Sequence, residues 1–596
     1  MSTRFQVVPV FVLSLAATLC VESAFAAPPS AASGPELQLV RREQGPAWFE
    51  ITQPDAAWSP ALRINHDLAD KEGRVPPPTR GWIFTNRVIV GGDEEAALVA
   101  VLRERAFAAV KPVEGAPGFW IVQCETVRHA MALADELASD ARVREAWVDA
   151  QAPRANRALP TDPGFASQWH LRNTTNTIAD INVEPAWNAG YTGTGITVGI
   201  LEGGFQTNHT DLAANYNSTA SQTGGSNTSH GTSCAGLSGA VANNGKCGVG
   251  VAYTGKVSKL LYGTSSTTAT AFGYRNDLNH IKSNSWGPAD NGLITYLSSV
   301  ERTAIDNAIA TGRGGKGTIF AWAAGNGGTA DRCDYDPYAS NRKVMTIGAV
   351  GDQDTRSSFN ETGSSMLVVA HSSGNVRGIY TTNSSNRCTS SFGGTSAACP
   401  IGAGSLALVL QANPNLTWRD VQHVLVNAAR KCDPANSLWT LNGAGHDINY
   451  NYGCGAIDVW AAIQLAAGWT NVPSETSVQS AVLAVNTTIP DNNTAGVTRT
   501  FTTSSNINVE NVEIVLNATM TYVGDLQIVL TSPSGTQSLL AGVRADATDN
   551  YTNYVFTTRR CWDESSAGTW SLNISDRAAS DVATWTNWQI KIYGTP

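Results

Sequence analysis

Charge is what this sequence has least of. Asp, Glu, Lys and Arg make up 15% of its residues, against about 25% in an ordinary soluble protein. A chain so poor in charge and 42% apolar is not a disordered polyelectrolyte. Positive charge is the scarcer sign, with 40 Lys and Arg against 49 Asp and Glu and a formal charge of −9. Nucleic acid is therefore excluded as a partner, because it demands a clustered basic surface. Also missing is any apolar run of about 20 residues, so no membrane span is expected. The 10 cysteines form no CxxC pair, which removes the usual zinc modules.

What is present begins with a secretory leader. Arg4 precedes an apolar stretch from Val7 to Leu19, and Ala24-Phe25-Ala26 has the small-x-small pattern of a cleavage site. A signal peptide over residues 1–26, cut after Ala26, is predicted. Cys20 is not a lipoprotein site, since Leu19 before it is too large. The mature chain is then expected to be secreted, where disulfides persist.

With 596 residues the chain is too long for one core; at roughly 150 residues per domain it should hold about four units. Residues 27 to 80 are rich in Pro, Ala and Gly without a clear period, and read as leader and linker. Beyond Arg87, strand-like RVIV, GFWIVQ and VREAWVDA alternate with helical EEAALVAVLRERA and VRHAMALADELA, the pattern of a small α+β module ending near residue 157. From 158 to 470 buried strands (ITVGIL, GTIFAWAAGN, KVMTIGAV) alternate with helices (SVERTAIDNAIA, and TWRDVQHVLVNAARK capped by Thr417). That predicts an α/β parallel sheet with helices on both faces. Residues 471–596 turn to Thr, Val, Asn and Ser, with strands VENVEIVL, DLQIVL, TWSLNISD and NWQIKIY, an all-β sandwich with Trp570 and Trp588 in its core.

Chemistry gathers in the α/β unit. Glu202 ends the strand in GILEGG, His230 opens HGTSCAG, Asn326 follows a strand in AAGNGG, and Ser396 sits in FGGTSAACP. Acid, histidine and serine in that chain order can build a nucleophilic serine: a hydroxyl, a base beside it, and a buried anion to hold the base. HGTSCAG and GTSAACP look like helix beginnings. Gly394 permits close backbone approach, and Pro400 falls in a first turn, where its missing N–H costs little. A helix starting at Ser396 would aim free N–H groups at developing negative charge, and Asn326 is placed to supply a further oxyanion donor.

These stretches, together with VANNGKCGVGVAY and SNSWGPADNG, resemble the subtilisin family, and within it the kexin and furin branch of proprotein convertases. GDLQIVLTSPSGT and GTWSLNISD resemble the P domain, a jelly-roll-like sandwich that follows such catalytic domains. The resemblance covers residues 160–596. It implies a calcium-dependent serine endopeptidase acting on proteins or peptides, made as a zymogen whose own prodomain inhibits it, and working as a monomer.

In this family one calcium would be held by Asp162, Asp211, Asn244 and the carbonyls of Val241, Lys246 and Gly248, and a second by Asp290, Asp331 and Glu361. Oxygen-only donors suit that hard cation. Asp290 and Asp336 match the acids that receive a basic side chain before the scissile bond. The neighbouring pocket has lost its acids, with Gly203 and Asn227 in their places, and TSSTTATAF offers no Glu for a more distant arginine. A single basic residue is therefore the expected requirement, and the activation cut falls after Arg157 rather than Arg154, giving a mature start at Ala158. Cys247 and Cys388 match the family disulfide, and Cys432 with Cys454 would close a loop. Cys234 and Cys399 read as buried thiols, while Cys333 and Cys561 have no assignment.

The departure is Glu202-Gly203, where the family has an Asp. GYTGTGITVGIL before and NHTDL after fix the alignment, so no nearby Asp replaces it. A glutamate can accept the imidazole hydrogen bond, and Gly203 is expected to leave room for the extra methylene. The alternative is a secreted binding protein with an impaired protease fold and a β-sandwich adhesion module.

Overall fold

The computed structural model describes residues 36–40, 47–51, 53–64, 79–93, 95–105, 110–113, 116–151 and 159–596. The expected signal peptide with its cut after Ala26, and the connector carrying Arg154, Arg157 and Ala158, lie outside them.

The first unit is an antiparallel sheet in the order β1 (Glu36–Val40), β2 (Ala47–Ile51), β3 (Trp58–Ile64), β4 (Thr79–Gly91), β6 (Phe119–Gln123), β5 (Val110–Pro112), with β7 (Glu145–Gln151) also paired to β4. Helices α1 (Glu95–Glu104) and α2 (Val127–Ala138) complete it, and Phe49, Phe84, Leu98 and Leu137 are buried in its core. Strands β1 to β3 correct the reading of residues 27–80 as linker. Pro60 lies in β3 opposite Ile83 of β4, one residue before Ala61 faces Ile51 at the end of β2, a position near a strand end where proline is tolerated. Ile83 is buried in the core of the next unit, and Gln53 Nε2 donates to the Asn427 carbonyl at 3.1 Å.

That next unit is built on a six-stranded parallel sheet in the order β13 (Val368–His371), β12 (Val344–Val350), β11 (Ile319–Ala323), β10 (Ile281–Asn284), β8 (Thr197–Glu202), β9 (Lys256–Leu261). Every residue of β8, β10, β11, β12 and β13 is buried, as continuous apolar strands require when both faces are covered. Around it lie α3 (Glu184–Asn188), α4 (Ser229–Gly239), α5 (Ser265–Gly273), α6 (Ser299–Gly315), α7 (Thr395–Ala412), α8 (Trp418–Ala428) and α9 (Val459–Ala467). Hairpin β14 (Ile379–Asn383) and β15 (Arg387–Phe392) precedes α7. Thr417 and Asp420 form a capping box at α8. Helix α7 is long and apolar enough to cross a membrane, but 83% of it lies inside the protein.

The C-terminal unit stacks two antiparallel sheets. After the two-residue strands β16 (Thr440–Leu441) and β17 (Asp447–Ile448), the first sheet runs β18 (Thr476–Gln479), β26 (Ala583–Thr595), β21 (Asn508–Thr519), β24 (Tyr551–Thr558), with β19 (Leu483–Ile489) on β26. The second runs β20 (Val497–Thr503), β25 (Gly568–Asp576), β22 (Leu526–Thr531), β23 (Gln537–Ala541). Trp570 and Trp588 are buried between them, with Trp585. Arg419 and His423 of α8 meet Glu510 of β21 in a buried cluster, at 2.5 and 2.9 Å.

Cys247 and Cys388 are joined in a disulfide, and Cys234, Cys333, Cys399 and Cys561 are buried thiols. Cys432 and Cys454 are corrected: each is a free, buried thiol. Their segments pair only at Arg430 and Ala456, and the Cys454 amide then turns to the Leu367 carbonyl (2.9 Å), leaving the ladder before the sulfurs could face each other.

Candidate active site

Parallel α/β sheets open their clefts at the carboxyl ends of the strands, and the four singled-out residues sit there. Glu202 is the last residue of β8, Asn326 follows β11, and His230 and Ser396 are second in α4 and α7. Glu202 is 3% exposed, and its Oε2 lies 3.0 Å from His230 Nδ1. That contact assigns the imidazole proton to Nδ1 and leaves Nε2 as the base. Burial pulls the imidazole pKa down, but the hydrogen bond and charge of Glu202 prevail and leave it above the ordinary value. Thr228 caps α4 by accepting from the Gly231 amide at 3.0 Å, which holds the turn bearing His230. A Cβ on Gly231 would lie 2.3 Å from the Gly204 carbonyl, so only glycine lets α4 start this close to β8.

A Cβ on Gly203 would meet Thr228 Cγ2 at 3.5 Å and Tyr262 Oη at 3.8 Å, both ordinary contacts, so the position lies beside the cap of α4.

Gly394 enters α7 with φ of 73°, a left-handed conformation that favours glycine. The Ser396 hydroxyl donates to the Ser285 carbonyl at 3.4 Å, a loose contact of the kind nucleophiles make before substrate binds. Asn326 Oδ1 accepts from the Thr395 amide (2.8 Å) and hydroxyl (3.0 Å). With its oxygen tied down, the carboxamide NH₂ is the end able to donate.

Two oxygen-rich clusters lie in the same unit, the first just past the end of α4, where the Val241 amide donates to the Asp211 carbonyl at 2.9 Å. Asp162 and Asp211 are buried; Asn244 Nδ2 donates to Asp211 Oδ1 at 2.8 Å, and the Asn244 amide to Asp162 Oδ1 at 2.9 Å. Asp211 Oδ2 is buried without a partner. Burial, reinforced by the Asp162 charge, pushes the Asp211 carboxyl up to about 7 despite the Asn244 hydrogen bond. The carbonyls of Val241, Lys246 and Gly248 accept no hydrogen bond among the described residues. An orphaned buried oxygen beside free carbonyls fits a calcium ion.

Asp290, Asp331, Asp336 and Glu361 line one pocket. Asp331 accepts from the Gly292 amide (2.8 Å) and Glu361 from the Gly327 amide (3.0 Å). Burial, then the charge of Asp331, pushes Glu361 up to about 10; burial, together with Asp331 and Asp290, takes Asp336 to about 7. A Cβ on Gly325 would lie within 2.5 Å of the Glu361 carboxylate, so the backbone forms a cradle around it. This acid set fits a cation, whether metal or basic side chain. Asn227 is exposed.

Four residues beside the site had no role in it read from the sequence. Cys234 lies one helical turn beyond His230, and its sulfur falls within 4.8 Å of the Glu202 and His230 donor atoms; the i, i+4 spacing was its only signal. Phe392 packs edge-on to the imidazole at 5.4 Å. Tyr262, 42% exposed, stands beside Gly203 and packs on Trp286 at 5.0 Å. Arg544 reaches in from the sandwich, donating to the Gly292 carbonyl (2.8 Å) and lying 4.2 Å over the Tyr335 ring.

Residues 193–455 match the subtilase family, and residues 509–592 the proprotein convertase P-domain. Furin of Rattus norvegicus is 37% identical over 481 residues, covering 75% of this chain and 60% of that protein. The chain thus spans 60% of the length of that furin. Neuroendocrine convertase 2 of Pongo abelii is 33% identical over 568 residues, covering 86% of this chain and 89% of that protein. The crystal structure of a serine protease of Aeromonas sobria superposes with a TM-score of 0.68 at 21% identity, over 74% of this chain and 98% of that one.

Proposed function

From the premise that this chain belongs to the subtilase family and carries a convertase P domain, we propose that it is a secreted, calcium-dependent serine endopeptidase, made as a zymogen and cleaving after a basic residue. The observation that carries the reading is the 3.0 Å contact between buried Glu202 and His230 Nδ1, at the sheet end where Ser396 begins a helix.

His230 Nε2 takes the Ser396 proton as the hydroxyl oxygen bonds to the scissile carbonyl carbon. The carbonyl oxygen becomes an oxyanion facing the Asn326 NH₂ and the free amides of the α7 first turn. As the tetrahedral intermediate collapses, the carbon–nitrogen bond breaks and the imidazolium gives its proton to the leaving amine. The acyl group is left as an ester on Ser396. His230 Nε2 then takes a proton from water as the water oxygen bonds to the ester carbon, and returns it to the Ser396 oxygen as that ester bond breaks and the acid product leaves. Glu202 stabilises the imidazolium throughout. Asp290 and Asp336 would receive the basic side chain; the absence of acids at Gly203 and Asn227 removes the reward for a second one.

Calcium would be held by Asp162, Asp211, Asn244 and the Val241, Lys246 and Gly248 carbonyls, and by Asp290, Asp331 and Glu361; when bound it supplies charge neutralisation for carboxylates that burial disfavours. The prodomain would be released by a cut after Arg157. The alternative, a binding protein with an impaired fold, draws on one observation: Glu202 Oε1 is buried without a partner.

Peptide hydrolysis and N-terminal sequencing test the proposal together. The wild type should begin at Ala158 and hydrolyse an arginyl peptide, while the Ser396→Ala chain retains its prodomain when no other protease is present. Normal processing of Ser396→Ala, or equal hydrolysis of peptides with Arg and Ala before the scissile bond, would contradict it.

A further inference from the structure

Away from the cleft, one end of the C-terminal sandwich collects carboxylates that nothing in the proteolytic mechanism uses. Asp525 closes the short turn Val523–Asp525 before β22, and Asp576 is the last residue of β25. The two strands are neighbours, with Leu526 facing Asp576 and the Arg577 amide donating to the Asp525 carbonyl at 2.9 Å. Asp491, just after β19, is drawn in by the Asn493 amide, which donates to the Asp576 carbonyl at 2.8 Å, and by the Ser580 amide at 3.4 Å from Asp491 Oδ2. Asp581, in the loop between β25 and β26, accepts a hydrogen bond from Thr521.

No basic side chain neutralises this gathering among the described residues. None of the four aspartates forms an ion pair among the described residues, and the Arg577 guanidinium beside them turns to Ser575 (3.0 Å) and Gln527 instead. Asp576 is 0% exposed; its Oδ1 accepts from the Ala578 amide at 3.2 Å, whereas Oδ2 is buried with no partner at all. Asp525 is 8% exposed. A buried carboxylate oxygen without a hydrogen bond is costly, and three further carboxylates beside it raise that cost rather than relieve it. Burial first, then the charges of Asp581 and Asp491, raise Asp525 above its ordinary range. Asp576 is raised by burial and by Asp525, Asp491 and Asp581, against the pull of the Ala578 amide.

We propose that Asp491, Asp525, Asp576 and Asp581 form a divalent-cation site in the C-terminal sandwich, of the hard, all-oxygen kind that takes calcium, separate from both clusters of the α/β unit. Such an ion gives Asp576 Oδ2 its missing partner and ties the ends of β19, β22 and β25 to the loop that precedes β26. The same turn accepts the Arg544 amide on the Gly524 carbonyl at 2.9 Å, so an ion here also steadies the segment that reaches the Asp331 pocket.

Equilibrium dialysis of the full mature chain against labelled calcium, after exhaustive chelation, tests this. At a free concentration saturating the wild type, Asp576→Asn should bind one ion per chain fewer. Because that buried substitution can disturb folding, the double variant Asp491→Asn/Asp581→Asn, at less buried positions, provides an independent reading. It should weaken one class of sites at least about tenfold, as loss of ligand charge does in carboxylate sites, and leave the others unchanged. Wild-type stoichiometry and affinity in the double variant would overturn the proposal, whatever the fate of Asp576→Asn.

Discussion

Glu202 is a one-methylene departure from its family whose consequences are set by rigid surroundings. Strand β8 is wholly buried in the sheet and α4 is pinned by the Thr228 cap, so neither moves easily to follow a shorter acid. Restoring the family residue should therefore harm this chain: Glu202→Asp is expected to lower kcat about 10²-fold, the usual cost of a misplacement near 1 Å. Glu202→Gln should cost about 10⁴-fold by favouring the wrong tautomer. It should also move the acid limb of the pH–rate profile downward, since Glu202 is what raises His230. An unshifted limb, or an Asp variant as fast as wild type, would contradict this geometry.

A second residue sets acid tolerance. His170 is fully buried, with neither ring nitrogen hydrogen-bonded, and burial, aided by the charges of His371 and Arg377, lowers its pKa to about 3. The unfolded chain binds a proton there below about 6.5 and the folded chain does not. Its contribution is complete above about pH 6.5 and is lost progressively as pH falls toward the folded value. His170→Phe should flatten the decline of Tm between pH 6 and 4 to a measurable extent, by up to the contribution of one proton per chain; an unchanged slope would show that other groups set the acid limit.

Among the elements, those bearing the catalytic residues were legible because each is local. Glycines flank His230 and Ser396 at helix starts, and a residue at the end of an apolar strand points to a sheet's cleft. Strands β1 to β3 were not, although each pairs with its neighbour in the chain, because the segment is rich in Pro, Ala and Gly and its alternation is weak. Tyr262 and the Asp491–Asp581 cluster were invisible for another reason, since only the fold brings their partners near. The family pairing of Cys432 with Cys454 failed on a backbone detail no spacing reveals.

The end of β24 shows how elements of different units depend on one another. Arg559 is 2% exposed and inserts beneath β12, donating to Thr346 (3.1 Å), the Asn341 carbonyl (2.9 Å), the Val344 carbonyl (2.7 Å) and the Ser365 carbonyl. No carboxylate pairs with it among the described residues, and burial holds its guanidinium down to about 10. Arg559→Leu would strand those acceptors at about 1–3 kcal/mol each. The variant should lose at least about 3 kcal/mol in denaturant unfolding, with activity lost at the same denaturant concentration as fold. Wild-type stability would mean the sandwich merely rests against the catalytic unit.

At the scale of the whole molecule, the catalytic cleft is assembled by more than one unit. The Asp290–Asp336 pocket is propped from the sandwich by Arg544, and the sandwich core takes in Ile294 and Tyr335 of the α/β unit. Everything in this arrangement presupposes that Ser396 is a working nucleophile despite Glu202. The direct measurement is peptide-mapped mass spectrometry of the mature protein after exposure to a serine-directed fluorophosphonate in calcium. One covalent adduct per chain is expected, on Ser396, absent from Ser396→Ala and formed far more slowly in Glu202→Gln. A folded, calcium-loaded, prodomain-free protein that forms no adduct on Ser396 would contradict it.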